Sequence, residues 1–255
     1  MYCANGILEK LKPLFEFAAE DLTIPSILAG KCGNAYCDNM DNPRSAVLAI
    51  DDYYYLAGET TIIDSLLKLV GNNDKAIFVP DNEDTWYKAL SRCGKKLIKC
   101  ERKRTVIPKK FDTKALEEIK EKAKNFPEFE LMPIDENLYD EALKEKWSVP
   151  LVGNFKNYND FKDNGFGFIL SKEGKIIAGT SIFSYLNDDV DIEVTTREGY
   201  RGQGLAQITS AAFILECLKR GVVPHWDARN DASLAIAKHM GFEYEKSYMS
   251  FEFEG

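Results

Sequence analysis

The stretch Asp189-Val190-Asp191-Ile192-Glu193-Val194 alternates acids with aliphatics. On a β-strand that alternation gathers the three carboxylates on one face and the aliphatic side chains on the other, a row of groups able to accept a proton or hold a cation. Just beyond lies Arg201-Gly202-Gln203-Gly204-Leu205-Ala206, followed by an apolar helical stretch that Gly221 terminates. Glycines let a backbone turn tightly against a ligand, and the first amides of the next helix point outward with the helix dipole behind them. Strand, glycine turn and helix together form a device for holding a diphosphate. Taken alone, the hexapeptide serves equally well as a plain tight turn that starts a helix.

Further along, Asn230 and Ser233 open a helix that closes on Gly241-Phe242, and a helix N-cap with a polar neighbour is the plain reading of that pair. The preceding segment VVPHWDA reads as one strand, on which alternation sets His225 and Asp227 on one side and Trp226 on the other. Trp226 then belongs to the core, and His225 is a second candidate base. Cys217, inside AAFILECLKRG, reads as buried apolar filler. Trp147, just ahead of Pro150, either walls a pocket or packs a junction, and the sequence does not choose.

These residues sit in a chain of 255, long enough for one large domain or two of ordinary size, of which two is the expectation. Its 45% hydrophobic content supplies cores, and 29% charged residues is an ordinary globular share, which excludes a disordered chain. A net charge of −8 argues against nucleic acid as a partner and favours cationic small molecules. The basic run from Lys95 to Lys110 reads as a solvated strand and connector. No apolar run approaches the ~20 residues of a membrane span, and Lys and Glu interrupt the N-terminus where a signal peptide would be apolar. A cytoplasmic protein with no membrane partner is expected. Six scattered cysteines without a C-x-x-C pair, and two histidines, predict reduced thiols and no metal site.

The pattern of elements is mixed α/β. A first helix or helix pair is expected over residues 7–20. Strands follow in AYCDNMDNP, SAVLAIDDYYYLAGE and KAIFVPD, with helices in TTIIDSLLKLVG and TWYKALSRCG. KKLIKCERKRTVI reads as a strand pair or one long strand, and FDTKALEEIKEKAKN as an amphipathic helix capped by Asp112. A second series begins at FPEFELMPID: helices in ENLYDEALKEKW and NYNDFKDN, a hairpin GFGFILSK-EGK-IIAGTSIFSYL, the acidic strand, the glycine turn and its helix, then VVPHWDA, another helix and FEYEKSYMSFEF as a closing strand. The boundary is placed near Asn125 to Pro127, giving an N-terminal α/β domain, 1–125, and a second domain, 126–255. The fold class is α/β (α+β): a mixed, mostly antiparallel sheet flanked by helices, preceded by a smaller or degenerate α/β domain that lacks the glycine turn.

This order of elements, with Arg201, Gly204 and Ala206 at the defining positions of a Q/R-x-x-G-x-G/A motif and Asn230 followed by Gly241-Phe242, resembles the GNAT acetyltransferases over about residues 127–255. TTREGYRGQGLA and WDARNDASLAIAKHMGF also resemble a branch with an N-terminal extension, related to antibiotic self-resistance acetyltransferases. The first domain is then a candidate degenerate GNAT copy. The resemblance implies acetyl-CoA as co-substrate, with Val194 and Thr196 pairing its pantetheine arm like an added strand, the amides of Gly202, Gln203, Gly204, Leu205 and Ala206 beside Arg201 taking the pyrophosphate, and Asn230 and Ser233 lining the thioester end. It also implies that the acidic strand and VVPHWDA splay apart around the acyl group.

Amine acetylation needs a group that takes the amine's proton. Glu193, nearest the turn, is the preferred base, and Asp191 helps hold a cationic substrate, although Asp189 and Asp191 also suit a solvated strand start. Many such enzymes carry a tyrosine on the last helix to protonate the departing thiolate, and the matching position here is Ala237. Tyr244 or Tyr248 could substitute, or the thiolate, from a thiol of ordinary pKa ~8.5, leaves with stabilisation from the helix dipole and water, or catalysis is impaired. The expected protein is an N-acetyltransferase for a small-molecule amine, with a homodimer allowed. The alternative is a catalytically weak acyl-CoA sensor or interaction module. An NAD-type dinucleotide fold is excluded, because the turn lacks G-x-G-x-x-G and follows three sequential strands.

Overall fold

The computed structural model of the protein describes residues 1–18 and 20–253. The chain divides into two compact units, one formed by Met1–Arg102 together with the chain from Ser247, the other by Lys103–Lys246. The break expected at Asn125 to Pro127 falls inside the second unit. The helix α5 (Thr113–Glu121), capped as expected by the Asp112 carboxylate on Ala115 N at 3.1 Å, buries Leu116 in the same core as the C-terminal helices. A sequence boundary drawn at a change of element type misses that packing.

In the first unit β1 (Tyr2–Cys3), β2 (Asn34–Cys37), β3 (Ser45–Ile50) and β4 (Tyr53–Gly58) run antiparallel, and β5 (Ile77–Pro80) joins β4 in parallel. The helices α1 (Leu8–Leu11) and α2 (Thr23–Leu28) precede β2, α3 (Ile63–Val70) links β4 to β5, and α4 (Glu83–Leu90) leads on to β6 (Leu97–Val106). A core of Val47, Leu56, Leu66, Phe78, Trp86 and Phe251 lies beneath.

The second unit repeats that order. β7 (Glu130–Pro133) is followed by α6 (Glu136–Ala142) and α7 (Tyr158–Asn164), then by the antiparallel strands β8 (Gly167–Lys172), β9 (Lys175–Leu186) and β10 (Asp189–Thr196). The β8–β9 turn is Glu173-Gly174, with φ of 52° and 76°, the pair of positive values that a two-residue hairpin with native twist requires. After the glycine turn, α8 (Leu205–Arg220) crosses to β11 (Val223–His225), which pairs with β10 in parallel. β12 (Asp227–Ala228), α9 (Asp231–His239) and β13 (Glu243–Phe253) complete the chain. α8 stops at Gly221 in the left-handed region, φ 73°.

Small residues bring α8 close to the sheet: Thr209 and Ser210 lie 2.8 Å and 3.2 Å from the Thr180 hydroxyl of β9, all three fully buried. Ala211 packs in the main core with Ile182, Val190 and Ile192, while Leu205 and Ile208 anchor the start of the helix on Leu170, Ile177 and Phe129. The expected α/β class, with mostly antiparallel sheets flanked by helices, is the one observed.

VVPHWDA is not one strand. It breaks at Trp226 into β11, in the sheet with β10, and β12, which pairs with Lys103 and Arg104 at the end of β6. The buried indole sits at the break, edge-on to Phe242 with centroids 5.7 Å apart. Filling the core with that ring turns the chain away from its first sheet, which residue-type alternation alone does not report.

Candidate functional site

The break has a direct consequence for β10. β11 pairs with it only from Asp189 to Asp191. From Ile192 to Thr196 the strand keeps β9 on one side and has lost β11 on the other. Asp188 O accepts from Val223 N at 2.7 Å, so it faces β11, and Arg197 N donates to Ile177 O at 2.8 Å, so it faces β9. Alternation between those fixed points turns the amides and carbonyls of Val194 and Thr196 to the open edge. The register slip between Asp191 and Ile192 leaves this parity intact, because the extra residue, Phe183, lies in β9.

The open edge runs into the glycine turn. Gly199, Gly202 and Gly204 have φ of 87°, 77° and 79°, and Gly204 is the residue ahead of α8. Among the described residues, the amides from Gly202 to Ala206 close no bond to a backbone carbonyl, and the first helical amide to do so is Gln207, on Gly204 O at 3.1 Å. A Cβ built at Gly202 or Gly204 meets nothing within 4 Å, so the turn presents its backbone outward. Arg201 is exposed, and its Nε donates to Thr196 O at 3.3 Å, tying the turn to the strand end. Five amides, one arginine and the positive end of a helix of 16 residues fit a diphosphate.

Val190 and Ile192 are buried in the core, so Asp189, Asp191, Glu193 and Thr195 share the other face. Thr195 Oγ1 donates to Trp147 O at 3.3 Å, which identifies the cover of that face as the segment between α6 and α7. Trp147 therefore lies beside the carboxylate row, packed partly on the core of its own unit.

Of the other expected site residues, His225, Asn230, Ser233 and Tyr248 have hydrogen-bond partners. His225 Nε2 lies 2.6 Å from Asp189 Oδ1, within hydrogen-bond distance at the closed end of β10. Asn230 caps α9, accepting from Ser233 N at 3.0 Å, while the Ser233 hydroxyl accepts from Trp226 Nε1 at 3.0 Å. Ala237 is fully buried, and Tyr244 is 46% exposed on β13. Tyr248 belongs to the first unit, where its hydroxyl accepts from Arg102 Nε at 3.0 Å. Burial pushes the Cys217 thiol far up, in keeping with an inert core position. Among the described residues no group of three or more His, Cys, Asp or Glu side chains is placed to hold a metal ion, and no helix is long and apolar enough to cross a membrane.

Comparison with known proteins decides the family. The profile described as GNAT acetyltransferase matches residues 12–251, across both units. The chain belongs to the GNAT acetyltransferase family. Its structure is similar to a GCN5-related N-acetyltransferase-like protein from Streptococcus suis 89/1591, with 32% identity, a TM-score of 0.85, and coverage of 97% of this chain and 98% of that one. It is 26% identical over 253 residues to a Bacillus subtilis (strain 168) protein named "Uncharacterized N-acetyltransferase YdfB", covering 94% of this chain and 90% of that one. A GCN5-related glucosamine N-acetyltransferase region of a fungal β-N-acetylglucosaminidase matches at 13% identity with a TM-score of 0.51, covering 96% of this chain and 37% of that one, a likeness of fold alone.

GNAT enzymes take acetyl-CoA as co-substrate and deliver the acetyl group to an acceptor. The first unit of this GNAT chain shows what the glycine turn adds. At the corresponding exit of β4 the Asp81 carboxylate accepts from Gly58 N at 2.7 Å and from Trp86 Nε1 at 2.9 Å. An internal carboxylate thus takes the strand-end amide, and a Cβ at Gly58 would lie 2.0 Å from Arg44 O, so this glycine serves packing. Sequence reasoning passed over Glu145, Thr195 and Arg197 beside the turn. Nothing in their spacing separates them from surface polar residues, and only the fold brings the segment ahead of α7 onto β10.

Proposed function

We propose that the second unit transfers the acetyl group of acetyl-CoA to the amine of a cationic small molecule by direct attack on the thioester, as a GNAT N-acetyltransferase. The observation that carries this reading is the open edge of β10 from Ile192 to Thr196, leading straight into the unbonded amides of Gly202 to Ala206. The backbone of Val194 and Thr196 would take the pantetheine amides as a further strand would. Arg201 and the turn amides would neutralise the pyrophosphate, and Asn230 and Ser233, at the start of α9, would lie toward the thioester.

Acetyl-CoA supplies an activated acyl carbon. On the protein's side, Glu193 accepts the proton that the amine must shed before its lone pair can attack, directly or through a water. Asp191, one position away on the same face, holds a second positive charge of the acceptor. A main-chain amide between Val194 and Thr196 meets the carbonyl oxygen as it gains charge. The thiolate then leaves and takes its proton from Tyr244 or from solvent. The expected acceptors include aminoglycoside- and peptide-like amines, in keeping with the acidic net charge and the carboxylate face.

The test pairs binding with turnover. Acetyl-CoA at a hundred times its dissociation constant should stabilise the protein by ~2.7 kcal/mol, and an amine library that includes aminoglycosides should then release thiol. Glu193→Gln should lower turnover by about a hundredfold or more while acetyl-CoA affinity holds within about threefold. Absence of any shift with acetyl-CoA refutes the reading. Ala237, fully buried without a hydroxyl at the family's usual acid position, favours a second reading, an acyl-CoA-binding module of weak activity. That reading gains if acetyl-CoA binds and Glu193→Gln changes nothing.

A further inference from the structure

Arg197 belongs to two structures at once. Its backbone forms the base of the glycine turn, with its amide on Ile177 O at 2.8 Å and its carbonyl accepting from Tyr200 N at 3.1 Å. Its side chain reaches the other way. The guanidinium pairs with Glu145 Oε1 and lies over the Trp147 ring, 5.4 Å from the centroid. Glu145 Oε2 accepts from Trp147 Nε1 at 3.1 Å, and Trp147 O accepts from Thr195 Oγ1 at 3.3 Å. The segment is held at its far end by the buried Ser148, whose hydroxyl donates to Ala142 O at 2.9 Å. Carboxylate, guanidinium and indole thus fasten residues 143–148 over the strand that carries Glu193.

The fastening is incomplete. Among the described residues, the buried Arg197 Nε has no hydrogen-bond partner, so the guanidinium is bonded through its ion pair to Glu145 and not through Nε. Ordering the turn around an anion further restrains the Arg197 backbone, already held on Ile177 O and Tyr200 N, and so lowers the entropy that its side chain still has to lose in holding Glu145 and Trp147.

We infer that Glu145, Arg197 and Trp147 form a latch through which acetyl-CoA on the glycine turn tightens segment 143–148 as the acceptor-side wall of the site. This rests on the reading of that turn as the acetyl-CoA cradle. The three are positioning residues for the wall. Because the coupling is thermodynamic it is reciprocal, so loosening the wall weakens acetyl-CoA binding by the factor by which acetyl-CoA tightens the wall.

Hydrogen exchange of peptides spanning 143–149, with and without saturating acetyl-CoA, together with acetyl-CoA affinity by calorimetry, tests the latch in wild type, Arg197→Lys and Glu145→Gln. Acetyl-CoA should slow exchange there at least ~5-fold in wild type. Glu145→Gln should remove most of that slowing and weaken acetyl-CoA by a matching factor. Arg197→Lys, which keeps the charge but not the planar fork, should fall between. If acetyl-CoA binds wild type without slowing these amides, the latch is overturned and the functional reading stands. If the variants speed exchange equally with and without acetyl-CoA, leaving the wild-type ratio, the three residues are structural only and the latch is again overturned. No binding of acetyl-CoA to wild type sinks both.

Discussion

Gly204 and Gly199 offer a matched pair of perturbations. Their φ values are 79° and 87°, and at neither position would a Cβ meet a heavy atom within 4 Å. The cost of Gly204→Ala and of Gly199→Ala to the fold is therefore the backbone term alone, ~1–2 kcal/mol for an L-residue held in the left-handed region. For a chain of this size each kcal/mol lowers the melting temperature by about 2–4 °C, so both variants should stay folded and melt a few degrees early. They should differ on acetyl-CoA. Gly204 precedes α8 and its amide is one of the unbonded donors, whereas Gly199 lies ahead of that set. An alanine that pulls residue 204 out of its left-handed conformation swings the amides on either side of it. Losing one hydrogen bond to a charged oxygen is worth ~1.5–3 kcal/mol, about 10–150-fold in dissociation constant. Calorimetric titration with acetyl-CoA beside thermal melts reads both quantities. Equal affinities for the two variants, within about threefold, would show that the amides around Gly204 are not the diphosphate cradle. Gly58→Ala gives the contrast. Its Cβ would sit 2.0 Å from Arg44 O, so the loss there is of stability in the first unit.

Other consequences can be checked more briefly. Trp226→Phe and Ser233→Ala each remove the 3.0 Å indole–hydroxyl bond, which should cost about 1 kcal/mol in Ser233→Ala and more in Trp226→Phe, where part of a buried ring is lost as well. In a urea-denaturation cycle the double variant should cost less than their sum. Additive costs would mean that the bond contributes nothing. Cys217, fully buried and with its thiol held protonated by burial, should resist iodoacetamide in the native protein while the exposed Cys3 reacts. Mass spectrometry of the labelled peptides reads this directly, and early labelling of Cys217 would overturn its assignment to the core.

Much of this protein is legible in its sequence because the signals are local. The alternation from Asp189 to Val194 fixes which side chains share a face wherever the strand lies. Glu173-Gly174 sets the hairpin, and Asp112, Asn230 and Gly221 mark helix ends through their own hydrogen bonds and dihedral angles. Likewise Gly202 and Gly204 leave the amides ahead of α8 exposed whatever surrounds them. Tertiary structure decided the rest, and it did so where packing overrides local pattern. Burying Trp226 splits VVPHWDA between two sheets and so opens the edge of β10. Docking α5 into the core of the second unit moves the boundary between units. His225 meets Asp189, and Arg197 meets Glu145 and Trp147, across separations in sequence that carry no periodic signal. A side chain's local pattern states which way it can point. Which distant partner it finds there depends on how the whole chain fills its core.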